Sequence, residues 1–331
     1  MSTTTGTNAR LAWPEDTAPL PDRPADPRFA AGVAWIDGRI VPVEEATLPL
    51  LDWGFLRSDA CQETISVWNG QFFRLSDHLD RFERSLGRLR MEPPLPRAAI
   101  HQAVHDMVAT AGFWRAYVQI IMTRGRPPIG SRDIRLCRSR FQAFCIPFVW
   151  IASPEVQQRG MHVHISDRVR ISASSVDPMV KHYHWLDFEM GMFDAFDRGA
   201  ETVVLVDQSG NVTEGPGFNL FARVGDRLLT PRNGMLDGMT RRTTIELCED
   251  LGITVEPADL PAEMLRRADE VFLTTTAGGL IPVTRLDGAA IGDGAPGPVT
   301  VRLHREYWQR RNLGWKGEPV TYFQAPPTQA A

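Results

Sequence analysis

Two turn dipeptides, Asp37-Gly38 and Asn69-Gly70, each separate short runs of alternating apolar residues. They commit the N-terminal part of the chain to antiparallel hairpins, because both tolerate the positive φ that a two-residue hairpin turn demands. The first pairs Val33–Ile36 with Arg39–Val43, the second Thr64–Trp68 with Gln71–Arg74. A helix is predicted next, with Ser76 as N-cap and Asp77 and Asp80 in its first turn. Leu79, Phe82, Leu86 and Leu89 form its apolar stripe, and His78, Arg81 and Ser85 the neighbouring row.

A second helix is expected over Ala98–Gly112, then buried strands at Tyr117–Thr123 and Phe141–Ala152. Ser153-Pro154-Glu155 is the best boundary. Beyond it, Val163–Ser166, Thr202–Val206, Phe218–Val224 and Glu270–Thr275 read as strands. Helices are expected over Asp187–Asp197, stopping at Gly199, and Thr240–Leu251, stopping at Gly252. The chain of 331 residues is therefore read as mixed α/β with an irregular arm (1–29), a smaller α/β domain (30–152), a larger domain (153–315) and a tail (316–331).

A net charge of −4 leaves no basic excess to hold a nucleic-acid backbone. No apolar run approaches the ~20 residues that cross a bilayer, and the polar start from Ser2 to Asp26 lacks the features of a secretory signal. Cys61, Cys137, Cys145 and Cys248 are widely spaced, without a paired metal motif, which points to a reducing cytoplasm.

The chain has 34 arginines but only two lysines, Lys181 and Lys316. Where lysine can drift to arginine, a lysine that stays is one whose amine is used, because Lys can be deprotonated into a nucleophile and Arg cannot. Lys316 lies in a Gly- and Pro-flanked tail. Lys181 lies mid-chain beside Met179, Tyr183 and Trp185, and is the candidate nucleophile.

Three sets of residues suit a cofactor carrying an aldehyde, a pyridine ring and a phosphate. Lys181 is the Schiff-base amine. Glu214, in the stretch Asn211–Asn219, is a carboxylate that would favour a protonated pyridine nitrogen and so make the ring an electron sink. For the phosphate, Gly238-Met239-Thr240 opens a helix whose free N–H groups favour an anion. Thr274–Gly279 adds hydroxyls and amides in a tight loop, and Arg81 a permanent charge able to bond in bidentate fashion. A rival reading is a metal hydrolase built on His162, His164, His182 and His184. No acidic motif completes its ligand set at recognisable spacing, so no metal site is assigned.

The order of these elements resembles the class IV pyridoxal-phosphate aminotransferases, the group of branched-chain and D-amino-acid aminotransferases. The likeness runs from about Trp35 to Val283, through Trp35–Arg39, Arg74–Arg81, Asp177–Lys181, Thr213–Asn219, Leu236–Arg241 and Thr275–Gly279. It implies a two-domain fold type IV architecture with the cofactor, pyridoxal 5′-phosphate, between the domains. Lys181 becomes the catalytic Schiff-base lysine and Glu214 the partner of the pyridine nitrogen. Arg81, Met239, Thr240 and Thr276 become phosphate contacts, with Phe218, Leu236 and Thr275 also lining the cofactor.

Within the family, Ile65–Arg74, Trp185 and Thr275–Gly279 are most similar to (R)-selective amine transaminases. The resemblance implies amine or D-amino-acid donors and 2-oxo acid or ketone acceptors. A branched-chain aminotransferase or an aminodeoxychorismate-lyase-like enzyme is the alternative. Gln62 stands where those enzymes usually carry Tyr, and Tyr117 where they carry a pocket Phe. Arg126 and Arg132 both lie near the position of their carboxylate-binding arginine, and Arg57 is a further cation. Trp185 and Ala277 complete the implied substrate contacts. A homodimer is expected, with residues 50–62 bordering the pocket.

Overall fold

The computed structural model describes Leu11 and residues 22–323, which fall into two compact units. The first holds residues 22–149, 177–184 and 311–323; the second holds Leu11 and residues 150–176 and 185–310. Most of the expected N-terminal arm lies outside the described residues. Within its described part, Pro27–Phe29 make one 3-10 turn capped by the Asp26 carboxylate.

The first unit is built on strands β1 (Val33–Ile36), β2 (Arg39–Pro42), β3 (Ala60–Trp68), β4 (Gln71–Phe73), β5 (Ala116–Arg126) and β6 (Arg138–Pro147), with the last strand among the described residues, β15 (Gly317–Pro319). Its order is β15-β4-β3-β5-β6-β1-β2, antiparallel throughout. Both hairpin dipeptides take positive φ, 50° and 81° at Asp37-Gly38 and 51° and 70° at Asn69-Gly70. Three helices belong here: α1 (Trp53–Arg57), α2 (Leu75–Leu89) and α3 (Arg97–Ala111). Leu79, Phe82 and Leu86 of α2 join Ile65, Val67, Val104, Met107, Val118 and Ile120 in one buried cluster, as the helical spacing predicts.

Three local readings change. The N-cap of α2 is Arg74, at φ 56°, and Ser76 lies inside the helix. The Arg74 N–H donates to the Lys316 carbonyl, so tertiary structure fixes this end of the helix in place of a local serine cap. Strand β6 stops at Pro147, which has no N–H to continue the ladder. The segment read only as a tail contributes a strand, since Gly317–Pro319 pair with β4.

The second unit contains α4 (Pro154–Arg159), β7 (Met161–Val169), α5 (Leu186–Asp197), β8 (Thr202–Val206), β9 (Asn219–Val224) and β10 (Arg227–Pro231). It continues with α6 (Met239–Asp250), β11 (Val255–Ala258), α7 (Ala262–Arg266), β12 (Glu270–Thr275), β13 (Gly279–Leu286), β14 (Ala289–Ala290) and α8 (Pro298–Asn312), whose last two residues are counted with the first unit. The sheet runs β11-β10-β9-β12-β13-β7-β8 with β14 beside β13, and mixes parallel and antiparallel pairs. Gly238 precedes α6, where any Cβ would run into Asn219 Oδ1.

The division is not a single cut at Ser153. The segment around Lys181 returns to the first unit, because the Gln62 N–H donates to the Lys181 carbonyl at 2.9 Å and Cys61 forms an antiparallel bridge with His182. Among the described residues no helix is long and apolar enough to cross a membrane. All four cysteines are free thiols.

Candidate active site

Lys181 is half-buried, and its backbone is pinned to β3 at Gln62. Alternation along β3 sends Cys61, Glu63, Ile65 and Val67 to the core face, so Glu63 enters an apolar layer and must be paired. The partners are on α2. Arg81 Nε donates to Glu63 Oε1 and Arg81 Nη2 to Oε2, both at 2.7 Å, and His78 Nδ1 lies 2.7 Å from Oε2. Burial pushes the Glu63 carboxyl up, but the Arg81 charge and hydrogen bonds outweigh it and hold the carboxyl at about 2. Burial lowers the His78 imidazole against the pull of Glu63, with the positive fields of Arg81 and Lys181 adding to the effect. His78 thus lies in the electrostatic field of Lys181 beside a buried ion pair. Arg81, expected as a phosphate contact, is also the bidentate partner of Glu63.

The other face of β3 is polar. Thr64 Oγ1 donates to Gln62 Oε1 at 3.1 Å, and Gln119 Nε2 donates to the same oxygen and to Tyr183 Oη at 2.8 Å. Tyr117 Oη lies 3.5 Å from Thr64 Oγ1. Burial pushes both phenols up, keeping them protonated. Because the Gln62 carbonyl accepts these bonds, its NH₂ has no partner among the described residues. Arg57, Arg126 and Arg132 are exposed in the same unit.

The second unit carries the other candidates. Glu214 is 6% exposed; its Oε2 accepts the Leu236 N–H at 2.9 Å and its Oε1 lies 3.5 Å from Arg170 Nη2. Arg170 also donates to Asp187 at 2.7 Å and lies over the Phe188 ring. This arrangement holds the Glu214 carboxyl group inside the protein with its lone pairs partly committed. At the start of α6, Met239 and Thr240 are buried, and Thr240 Oγ1 has no partner among the described residues. A helix N-terminus with an idle buried hydroxyl has the chemistry to receive an anion.

In the loop after β12, Thr275 Oγ1 donates to the Gly217 carbonyl at 2.9 Å and accepts the Ala277 N–H at 3.2 Å. Thr275 therefore shapes the loop and does not offer its hydroxyl outward. Thr276 is half-buried beside it. The Ala277 carbonyl accepts the Ile151 N–H. Phe218 packs in the apolar core and blocks any Cβ at Gly215, so its side chain serves packing. Trp185 caps α5 and meets Phe188 edge-on at 5.7 Å.

The histidines of the rival metal reading are otherwise engaged. His162 uses Nδ1 on the Gly199 carbonyl and Nε2 on the Gly288 N–H, and His164 Nδ1 meets Asp287 at 2.6 Å. His182 Nδ1 accepts the His184 N–H. Sequence reasoning missed Glu63 and Arg170. Period-two alternation could have found Glu63, as a charge on the core face of a strand; no local signal marks Arg170.

Residues 60–286 match the protein family described as amino-transferase class IV. The chain is 27% identical to a branched-chain-amino-acid aminotransferase of Pseudomonas aeruginosa, covering 84% of this chain and 92% of that one. It is also 27% identical to a D-alanine aminotransferase of Bacillus licheniformis, covering 80% and 92%. It is 28% identical to branched-chain-amino-acid aminotransferase-like protein 2 of Arabidopsis thaliana, but spans 55% of that longer protein. The solved branched-chain amino acid aminotransferase of Thermobaculum terrenum, in its PLP-bound holo form, matches with a TM-score of 0.76 at 26% identity, over 88% of this chain and 99% of that one.

Proposed function

The chain belongs to the class IV aminotransferases, which are pyridoxal-phosphate enzymes, and on that premise we propose that it passes an amino group from an (R)-amine or D-amino acid to a 2-oxo acid or ketone. When bound, the cofactor supplies an aldehyde that condenses with amines and a protonated ring that withdraws electrons. The residues present suit it. Lys181 is the amine that would hold the aldehyde carbon and, as a free amine, would be the base and acid that moves a donor's proton. Glu214, fixed by the Leu236 N–H, keeps the ring nitrogen protonated. The α6 N-terminus, Thr240 Oγ1 and Thr276 take the phosphate oxygens. Glu63 holds the Arg81 guanidinium in one orientation.

The observation that carries the donor class is the polar face of Gln62, Thr64, Tyr117, Gln119 and Tyr183. An aliphatic branched side chain seated there would leave the Gln62 NH₂ dry, at about 1–3 kcal/mol. A D-amino acid satisfies it, because with its Cα–H held as in an L-amino acid its carboxylate takes the place of the L-amino acid's side chain. The second reading, a branched-chain aminotransferase, is favoured by the names of several relatives and by the solved structure matched above. A homodimer belongs to the same proposal, with exposed Leu50, Leu51, Phe55 and Leu56 as apolar surface for it.

The test is a donor panel of (R)-1-phenylethylamine, D-alanine and L-leucine, each with pyruvate or 2-oxoglutarate. D-alanine or the (R)-amine should be turned over faster than L-leucine. A preference for L-leucine sinks the donor assignment and leaves the family intact. Borohydride reduction of the holoenzyme, followed by peptide mapping, should find the cofactor on Lys181; a label on Lys316 refutes its role.

A further inference from the structure

Away from these residues, helix α3 and strand β15 bring three metal-binding side chains to one point. His101 and His105 are one helical turn apart on the same face of α3. Their ring centroids lie 4.6 Å apart with 32° between planes. Glu318 is the central residue of β15, held opposite Phe72 by its pairing with β4. His101 Nε2 lies 2.6 Å and His105 Nε2 2.8 Å from the same carboxylate oxygen, Glu318 Oε1. His105 also rests on the Phe72 ring, centroids 4.7 Å apart, so its orientation is set by packing. The sequence spacing of the two histidines says nothing about Glu318, which arrives only because the C-terminal strand joins the sheet edge.

We propose that His101, His105 and Glu318 form a binding site for a borderline divalent cation of the Zn(II) type, unrelated to transamination. Two imidazoles and one carboxylate are a zinc donor set, and three protein ligands leave water to complete the shell. All the ligand atoms fall within 4.8 Å of one another. Around a tetrahedral ion with bonds near ~2.1 Å, ligand atoms sit about 3.4 Å apart. The triangle therefore needs to open by roughly 0.6–0.8 Å, which rotation of the Glu318 side chain supplies. The side chains are 37%, 16% and 33% exposed, so an ion can enter from solvent and still be partly shielded. A bound ion would tie the short edge strand β15 to α3.

The experiment uses the pyridoxal-phosphate-loaded enzyme, stripped with EDTA and dialysed, titrated with Zn(II) against a chromophoric chelator. One site per chain with sub-micromolar affinity is expected, with a rise in Tm and, with Co(II), visible ligand-field bands. His101→Gln and Glu318→Gln should each weaken Zn(II) binding at least a hundredfold and abolish the Tm rise, while cofactor loading and transamination rate stay at wild-type level. His105→Asn, at the more buried position, serves as a third variant read by the same titration. Absence of one-to-one binding tighter than about 10 µM overturns the site, and the three groups are then only a hydrogen-bonded triad. Binding of wild-type strength in all three variants also overturns it, and puts the metal elsewhere.

Discussion

Glu63 and Arg81 meet as a bidentate pair, Nε on Oε1 and Nη2 on Oε2, with the carboxylate wholly cut off from solvent. Removing half of a buried ion pair strands the remaining charge in low dielectric, at a typical cost of about 3–5 kcal/mol. Glu63→Gln is expected to lose that much unfolding free energy, read from urea titration of tryptophan fluorescence. A loss under about 1 kcal/mol would mean that water reaches Arg81 and screens it. The pair also sets an acid limit. With the Glu63 carboxyl held at about 2 against an ordinary 4.5, its contribution is complete above pH 4.5 and lost as pH falls towards 2.

A second pH effect lies nearer neutrality. Burial pushes His304 down to about 3 from an ordinary 6.5, so the folded protein keeps it neutral. Its contribution is full above pH 6.5 and falls as the unfolded chain takes up a proton that the native chain refuses. Between pH 6.5 and 5 the loss is about 2 kcal/mol. His78, lowered by burial, acts with the same sign. The urea midpoint should therefore drop over this interval, and drop less in His304→Gln. Equal slopes in the two proteins would show that His304 is hydrated in the native state.

These buried pairings mark the limit of what the sequence discloses. The turns at Asp37-Gly38 and Asn69-Gly70, the stripe of α2 and the Gly112 end of α3 are legible because local chemistry decides them. Lys181 stands out in the sequence for another reason, and as a proposal: it has almost no lysine competitors. The Arg74 cap, the strand at Gly317–Pro319 and the return of residues 177–184 to the first unit all rest on hydrogen bonds between distant segments, which no local rule foresees. Arg170 belongs with them, since its partners Asp187 and Glu214 lie 17 and 44 positions away in sequence.

Glu214→Gln should separate charge from shape. The amide carbonyl can still accept the Leu236 N–H, and Arg170 keeps Asp187, so the fold should survive. What goes is the anion that favours a protonated ring. Loss of one preorganised electrostatic contact costs ~10²–10³ in kcat. The variant should bind cofactor, unfold near the wild-type temperature and turn over at that reduced rate. Wild-type turnover would remove Glu214 from the reaction.

An acceptor such as pyruvate brings a carboxylate that needs a cation, and the three arginines singled out for it differ in their surroundings. The Arg57 guanidinium lies 3.3 Å from the Trp53 ring centroid. Asp59, its nearest acidic neighbour in sequence, is taken by Arg124 through bonds of 2.9 and 3.1 Å, so it does not cancel Arg57. Arg126 is exposed at the end of β5, just past Gly125, whose φ of 70° lies at a break in the β5–β6 register. The backbones approach so closely at this bulge that any side chain at position 125 would strike the Arg138 carbonyl. To reach a substrate, Arg57 gives up a ring contact worth about 0.5–1 kcal/mol, whereas Arg126 gives up none of that kind among the described residues. Arg126→Ala should therefore show the larger effect. Losing a bidentate bond of ~1.5–3 kcal/mol raises the pyruvate KM by one to two orders of magnitude. The KM of a neutral aldehyde acceptor should hardly move, and neither should that of a donor without a carboxylate. If Arg57→Ala and Arg126→Ala both treat pyruvate and the aldehyde alike, Arg132 becomes the better candidate. The Ala277 amide does not, since it already donates to Thr275 Oγ1.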